Sequence, residues 1–189
     1  MKMVILTLML LPVLVLFLSF AKVAAESDEI MTHRQYTRII EREVKSPRKK
    51  PVMVNDRRAI SMVLGEMQDM EFVHLSLEDS LFEAVKDSGK ADCKGRAIYS
   101  LCRLVQLGFP IKDLGFALYL SKTDKPGHIE PLVFQHGTST LLNGEDAADY
   151  FREAIEIMSS FSVYRFEHGT EYRRSPLKRG IDEAFRNLE

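Results

Sequence analysis

The chain has 189 residues, 46% hydrophobic and 28% charged, which is the size and balance of one globular domain with a sizeable core. Its formal net charge of −1 supplies no strong basic field, so nucleic acid is excluded as the main partner. With only two cysteines, at 93 and 102, it is not a disulfide-rich scaffold.

Residues 1–25 read as an export signal. Lys2 gives a positive start, Met3 to Phe20 is nearly unbroken apolar sequence, and Val23-Ala24-Ala25 offers small residues for cleavage after Ala25. The competing reading is a retained anchor, because about 18 apolar residues just span a bilayer. No Cys follows the run, which argues against a lipoprotein. Loss of Lys2 and Lys22 would leave 24 of the 26 basic residues against 27 acidic ones, a net charge of −3. The expected product is periplasmic or secreted, with no membrane association beyond the signal. Residues 26–54 follow as a helix-permissive stretch, with Tyr36, Ile39, Ile40 and Val44 on one side, and a basic linker, Ser46-Pro47-Arg48-Lys49-Lys50-Pro51. That linker is either a surface-binding patch or a solvated hinge, and the hinge is the simpler reading.

The main domain is expected over 55–189. Asn55 caps a helix carrying Ile60, Val63, Leu64 and Met67 at i, i+3, i+4 and i+7. Ser76-Leu77-Glu78-Asp79 resembles a capping box opening a helix with Leu81, Phe82 and Val85, which ends near Ser88-Gly89. After a short loop, Asp92 is a good N-cap, Cys93 is the first helical residue, and Gly108 with Pro110 stops the helix. On the helix wheel, positions 93, 97, 98, 101, 102, 104 and 105 share one apolar half, while Arg96, Tyr99, Arg103 and Gln106 fall in the other. Cys102 lies inside the apolar arc and reads as core. Cys93 lies at its edge and at the helix mouth, where backbone N–H groups and the helix dipole favour a thiolate, with Lys94 and Arg96 in the same turn. The intervening helix separates the two sulfurs by roughly 13 Å of rise, too far for a disulfide.

Beyond Pro110, Leu114 to Leu120, His128 to Phe134 and Ser139 to Leu142 read as strands of an antiparallel meander. Asn143-Gly144-Glu145-Asp146 begins another helix with Tyr150, Phe151, Ala154, Ile155 and Met158 inward; Phe161 to Phe166 alternates as a last strand, and Ile181, Ala184, Phe185 and Leu188 mark a terminal helix. Helices first and a small antiparallel sheet later make an α+β domain.

A cysteine at a helix start, a histidine opening a strand and a polar residue ending the next strand are in the order that thiol catalysis requires. The thiolate needs a base to take and return its proton, and the base needs an acceptor to hold its tautomer. Cys93, His128 and Asn143 are those residues. With Asp92-Cys93 followed by Ala97, the Leu107-Gly108-Phe109-Pro110 stop, the His128 strand and Leu141-Leu142-Asn143, the chain resembles the bacterial transglutaminase-like cysteine proteinases of the transglutaminase-like and papain-like superfamily. The resemblance covers roughly residues 75–145. It implies a transglutaminase-like fold, helices packed on a small antiparallel sheet with the cysteine at a helix N-terminus. It also implies Cys93 as nucleophile, His128 as general base and acid, Asn143 as orienting residue, and an oxyanion hole made partly by the Cys93 N–H. The activity implied is cysteine peptidase hydrolysis of protein or peptide substrates in the cell envelope; transamidation would use the same chemistry with an amine acceptor. Lys94 and Gly95 stand where adhesin-cleaving members carry acidic residues, so no calcium site is expected. The histidines show no metal-ligand spacing with each other or with the cysteines, so no zinc site and no cofactor are expected. Asn143 equally suits a helix N-cap, and Pro131 suggests an edge or bulge in the His128 strand. The alternative to an enzyme is a non-catalytic binding module on the same fold that recognises an envelope protein.

Overall fold

The protein is described here by a computed structural model covering residues 33–46, 54–122, 127–167, 170–174 and 178–188. The expected export signal lies outside the described residues, as does the basic linker apart from Ser46. The chain divides into two compact units, Met1–Arg38 and Ile39–Glu189. Of the first, only helical residues 33–38 are described. Everything below concerns the second, which is an α+β unit. Among the described residues, no helix is long and apolar enough to cross a membrane.

The second unit's part of the first helix, α1, covers residues 39–45, with Ile40 and Val44 buried. Asn55 starts α2 (Asp56–Gln68), its side chain accepting the Arg57 N–H at 3.1 Å. That is the ordinary way to satisfy an orphan donor at a helix start. Two short strands, β1 (Glu71–Phe72) and β2 (Lys90–Ala91), pair in parallel. They are too short to carry a periodic signal and were not expected. The Ser76 capping contact exists, with Oγ accepting the Asp79 N–H at 3.1 Å, but it closes a turn and opens no helix. The helix α3 begins one turn later, at Phe82–Ser88, and ends on Gly89 at φ 66°.

Helix α4 (Cys93–Gln106) begins and ends as its sequence indicates. Asp92 accepts the Gly95 N–H at 3.0 Å, and Gly108 at φ 90° lets the Phe109 N–H turn back to the Leu104 carbonyl at 3.0 Å. Its polar half is covered as well as its apolar one. Tyr99 is buried, stacks on Phe82 with ring centroids 5.3 Å apart and donates to Glu66 at 2.9 Å, and Glu66 also pairs with Arg103 at 2.9 Å. Helices α2 and α3 therefore clamp α4 from behind, and α4 packs its apolar arc toward the sheet.

The sheet has five antiparallel strands: β3 (Leu114–Ser121), β4 (His128–Gln135), β5 (Thr138–Leu141), β6 (Met158–Arg165) and β7 (Thr170–Arg174), in the order β5-β4-β3-β6-β7. β3, β4 and β5 form the expected meander. β6 then returns to the far side of β3, which makes β3 central and explains its run of buried residues from Leu114 to Leu118. β4 pairs with β5 only from Leu132 onward, so Pro131, which lies opposite Phe116 of β3, has no partner on the β5 side. Between β5 and β6 lies α5 (Ala147–Glu153), and α6 (Lys178–Arg186) closes the described chain. Phe151 of α5, with Ile181, Ala184 and Phe185 of the α6 region, packs onto Ala117, Leu132, Phe134, Phe161 and Val163. Strand alternation puts Tyr119, His128 and Glu130 on that same face, because Tyr119 pairs with His128 and Ala117 with Glu130 across the ladder.

Candidate active site

Cys93 is the first residue of α4 and is half-buried, while Cys102, deep in the apolar arc, is 1% exposed; neither forms a disulfide. The loop that delivers Cys93 is held rigidly. Val73 N–H donates to the Ala91 carbonyl at 3.2 Å, and Leu75 N–H donates to the Asp92 carboxylate at 3.3 Å. Asp92, 1% exposed, is thus both helix cap and loop anchor. Burial alone would raise its pKa, but the Lys94 ammonium and the Gly95 and Leu75 N–H groups hold it below the usual carboxylate value.

Two basic residues expected to support the thiolate are engaged elsewhere. Lys94 is paired with Asp92. Arg96 donates to the Met70 carbonyl at 3.1 Å and lies over the Phe72 ring, 5.4 Å from its centroid. The positive partner of Cys93 comes from the sheet.

The Cys93 thiol lies 3.9 Å from the Gly127 carbonyl oxygen, which it faces as a weak donor, and the next residue, His128, is near enough for the thiol to act on its imidazole. On the same strand face His128 Nε2 is 2.5 Å from Glu130 Oε1. Burial alone would lower the His128 pKa. The hydrogen bonds to Cys93 and Glu130 outweigh it and push the imidazole from 6.5 up to about 9. Both neighbours therefore favour the charged form of the imidazole.

Tyrosines complete the surroundings. Tyr119, opposite His128 in the ladder, has its ring centroid 5.8 Å from the imidazole. Burial, with the charges of Cys93 and Glu130 nearby, raises its phenol pKa. Burial, followed by the nearby Glu130 charge, pushes the phenol of Tyr150 on α5 up to about 12.

The structure thus brings Cys93 and His128 together and leaves Asn143 outside the cluster. Asn143 is exposed; its Oδ1 accepts the Glu145 N–H at 3.0 Å and its amide reaches the Glu145 carboxylate at 3.4 Å. The N-cap of α5 is Asp146, which accepts the Asp149 N–H at 2.8 Å. Asn143 lines an open cleft of about 680 Å³ with Asn55, Asp56, Arg57, Gln135 and His136, a cleft that includes neither Cys93 nor His128. That cleft is accordingly not where Cys93, His128 and Glu130 lie. The histidine's acceptor, Glu130, had a readable signal, since a residue two after a strand histidine shares its face. Tyr119 and Tyr150 had none, because their proximity depends on sheet pairing and on the packing of α5.

Chemically, the cluster can move one proton between a thiol at a helix mouth and an imidazole whose far nitrogen is tied to a carboxylate. Among the described residues, no group of three His, Cys, Asp or Glu side chains is arranged to hold a metal ion. The sequence matches no protein-family model and no curated protein.

Proposed function

We propose that the protein is an exported cysteine hydrolase of transglutaminase-like and papain-like type, acting on amide bonds of protein or peptide substrates in the cell envelope. The observation that carries the reading is the meeting of helix mouth and strand start: the Cys93 thiol faces the Gly127 carbonyl at 3.9 Å, and the next residue, His128, lies 2.5 Å from the Glu130 carboxylate. With Nε2 engaged by Glu130, Nδ1 is the ring nitrogen that exchanges a proton with the thiol. Glu130 takes the orienting role that the family order assigned to Asn143.

In the proposed reaction the Cys93 thiolate attacks the substrate carbonyl carbon and the carbonyl π electrons move to oxygen. The helix mouth, including the Cys93 N–H, stabilises that oxyanion. The tetrahedral species collapses to a thioester as the C–N bond breaks, and His128 protonates the departing amine. A water then gives its proton to His128 and attacks the thioester; the acid leaves, and the thiolate and imidazolium are restored. An amine in place of water would give transamidation.

The test is the pH profile of Cys93 alkylation by iodoacetamide, read by mass spectrometry, with His128→Ala as control. A midpoint well below 8.5 that rises in the variant supports the pair, since an ordinary thiol titrates near 8.5. A midpoint near 8.5 that ignores the substitution sinks the enzyme reading. It would leave the non-catalytic binding module.

A further inference from the structure

We propose that Phe72 and Arg96 form a side-chain subsite for the peptide that Cys93 attacks, one that accepts an extended chain with an apolar residue and an acidic neighbour. The inference rests on the thiol-hydrolase reading and names the substrate class of that same site. Phe72 is 56% exposed, the most open of the large hydrophobic side chains among the described residues. A lone exposed ring is ordinary on a protein surface. This one is held in place. The Arg96 guanidinium lies 5.4 Å from its centroid, and His74 meets it edge-on at 5.9 Å. Arg96 is itself tied to the Met70 carbonyl at 3.1 Å.

The backbone beneath the ring is open as well. The Glu71 and Val73 N–H groups donate to the Gly89 and Ala91 carbonyls at 3.0 and 3.2 Å, so those two residues serve the ladder with β2. Successive residues of a strand turn to opposite edges. The Phe72 N–H and C=O therefore face away from β2, and neither has a partner among the described residues. An extended peptide uses such an edge: main-chain bonds hold it, and the side chain beside them is read. The edge is also close to the thiol. Phe72 pairs with Ala91, two residues before Cys93, which puts the Phe72 and Cys93 Cα atoms within about 12 Å of each other. An extended peptide covers that distance in about three or four residues. Charge selects the neighbour. Glu71 pairs with Lys90 at 3.3 Å and Asp92 with Lys94, whereas Arg96 has a carbonyl and a ring but no carboxylate among the described residues. A glutamate or aspartate beside the apolar residue supplies that anion, and a lysine there is repelled.

The experiment measures, by fluorescence anisotropy, the binding of short end-blocked peptides to the full chain carrying Cys93→Ala. The peptides are fluorescein-labelled serine–alanine sequences with a central Phe, Leu or Gly and a Glu or Lys next to it. The Phe-Glu and Leu-Glu peptides are expected to bind about tenfold more tightly than Gly-Glu, the scale of burying one apolar side chain. The Phe-Lys peptide is expected to bind several-fold more weakly than Phe-Glu. Phe72→Ala should abolish the preference for Phe over Gly, Phe72→Tyr should retain it, and Arg96→Gln should narrow the gap between Glu and Lys. With Cys93 present, the Phe-Glu peptide should slow its alkylation by iodoacetamide. No preference for Phe over Gly, a preference that survives Phe72→Ala, a preference for Lys over Glu, or binding that leaves Cys93 alkylation unchanged overturns the proposal. So does self-association of the chain that Phe72→Ala abolishes without any peptide preference, since a second copy would then be the occupant. The underlying site is read separately. Alkylation that ignores His128→Ala overturns the thiol pair whatever the peptides do, whereas a His128-dependent thiol with no peptide preference overturns only the Phe72 subsite.

Discussion

His128 and Glu130 are joined, Nε2 to Oε1 at 2.5 Å, by the simplest relation a strand offers: residues two apart on one face. Asn143 sits in the turn after β5 with its side chain spent on Glu145. Glu130→Gln should therefore slow Cys93 alkylation near neutral pH by roughly tenfold, the effect of about one pKa unit on the thiolate fraction. Asn143→Ala should stay within a few-fold of wild type. Parallel alkylation time courses on the two variants measure the difference, and the reverse ranking would restore Asn143 to the site.

The raised His128 pKa also makes stability depend on pH. The folded value, about 9, lies above the unfolded value of 6.5. The charged histidine's stabilisation is complete below pH 6.5 and is lost as pH rises from there through 9, because the folded state binds the extra proton. Melting temperature should fall by several degrees over that window in wild type. His128→Ala should flatten the fall, and an unaltered pH dependence in that variant would contradict the assignment.

Asp92 has the opposite sign. Its folded pKa is depressed, so its contribution is present above the unfolded value of 3.8 and disappears as pH falls through the lower folded value. Asp92→Ala removes a helix cap, a loop anchor and the partner of Lys94 at once and should cost about 2–3 kcal/mol in denaturant unfolding. Asp92→Asn keeps an acceptor for the Gly95 and Leu75 N–H groups and should lose less.

Gly127 precedes His128 where the chain passes very close to β3. A Cβ there would lie 2.3 Å from the Tyr119 carbonyl oxygen, a backbone atom that cannot rotate away. Gly127→Ala should cost about 1–3 kcal/mol, as overpacking does. It should also disturb the thiol, because the Gly127 carbonyl faces Cys93 Sγ at 3.9 Å. Thermal melting and the Cys93 alkylation midpoint should move together in this variant.

Local chemistry was readable without coordinates. Asn55 and Asp92 cap helices with their own side chains, Gly108 turns the chain out of α4, and β3 and β4 begin at Leu114 and His128, where the apolar patterns begin. These features depend on residues within a few positions of one another, so the sequence by itself determined them, along with the α+β class. The capping box at Ser76 shows the limit of such reasoning, since the same hydrogen bond serves a turn or a helix and downstream packing chooses. Only the tertiary structure decided that β6 would return to β3, that α2 and α3 would cover Tyr99, and that Lys94 would turn to Asp92. It alone placed Glu130, Tyr119 and Tyr150 around His128 while Asn143 turned to its own loop. Side chains distant in sequence meet only when strand register and helix packing bring their backbones together, and that depends on the whole core.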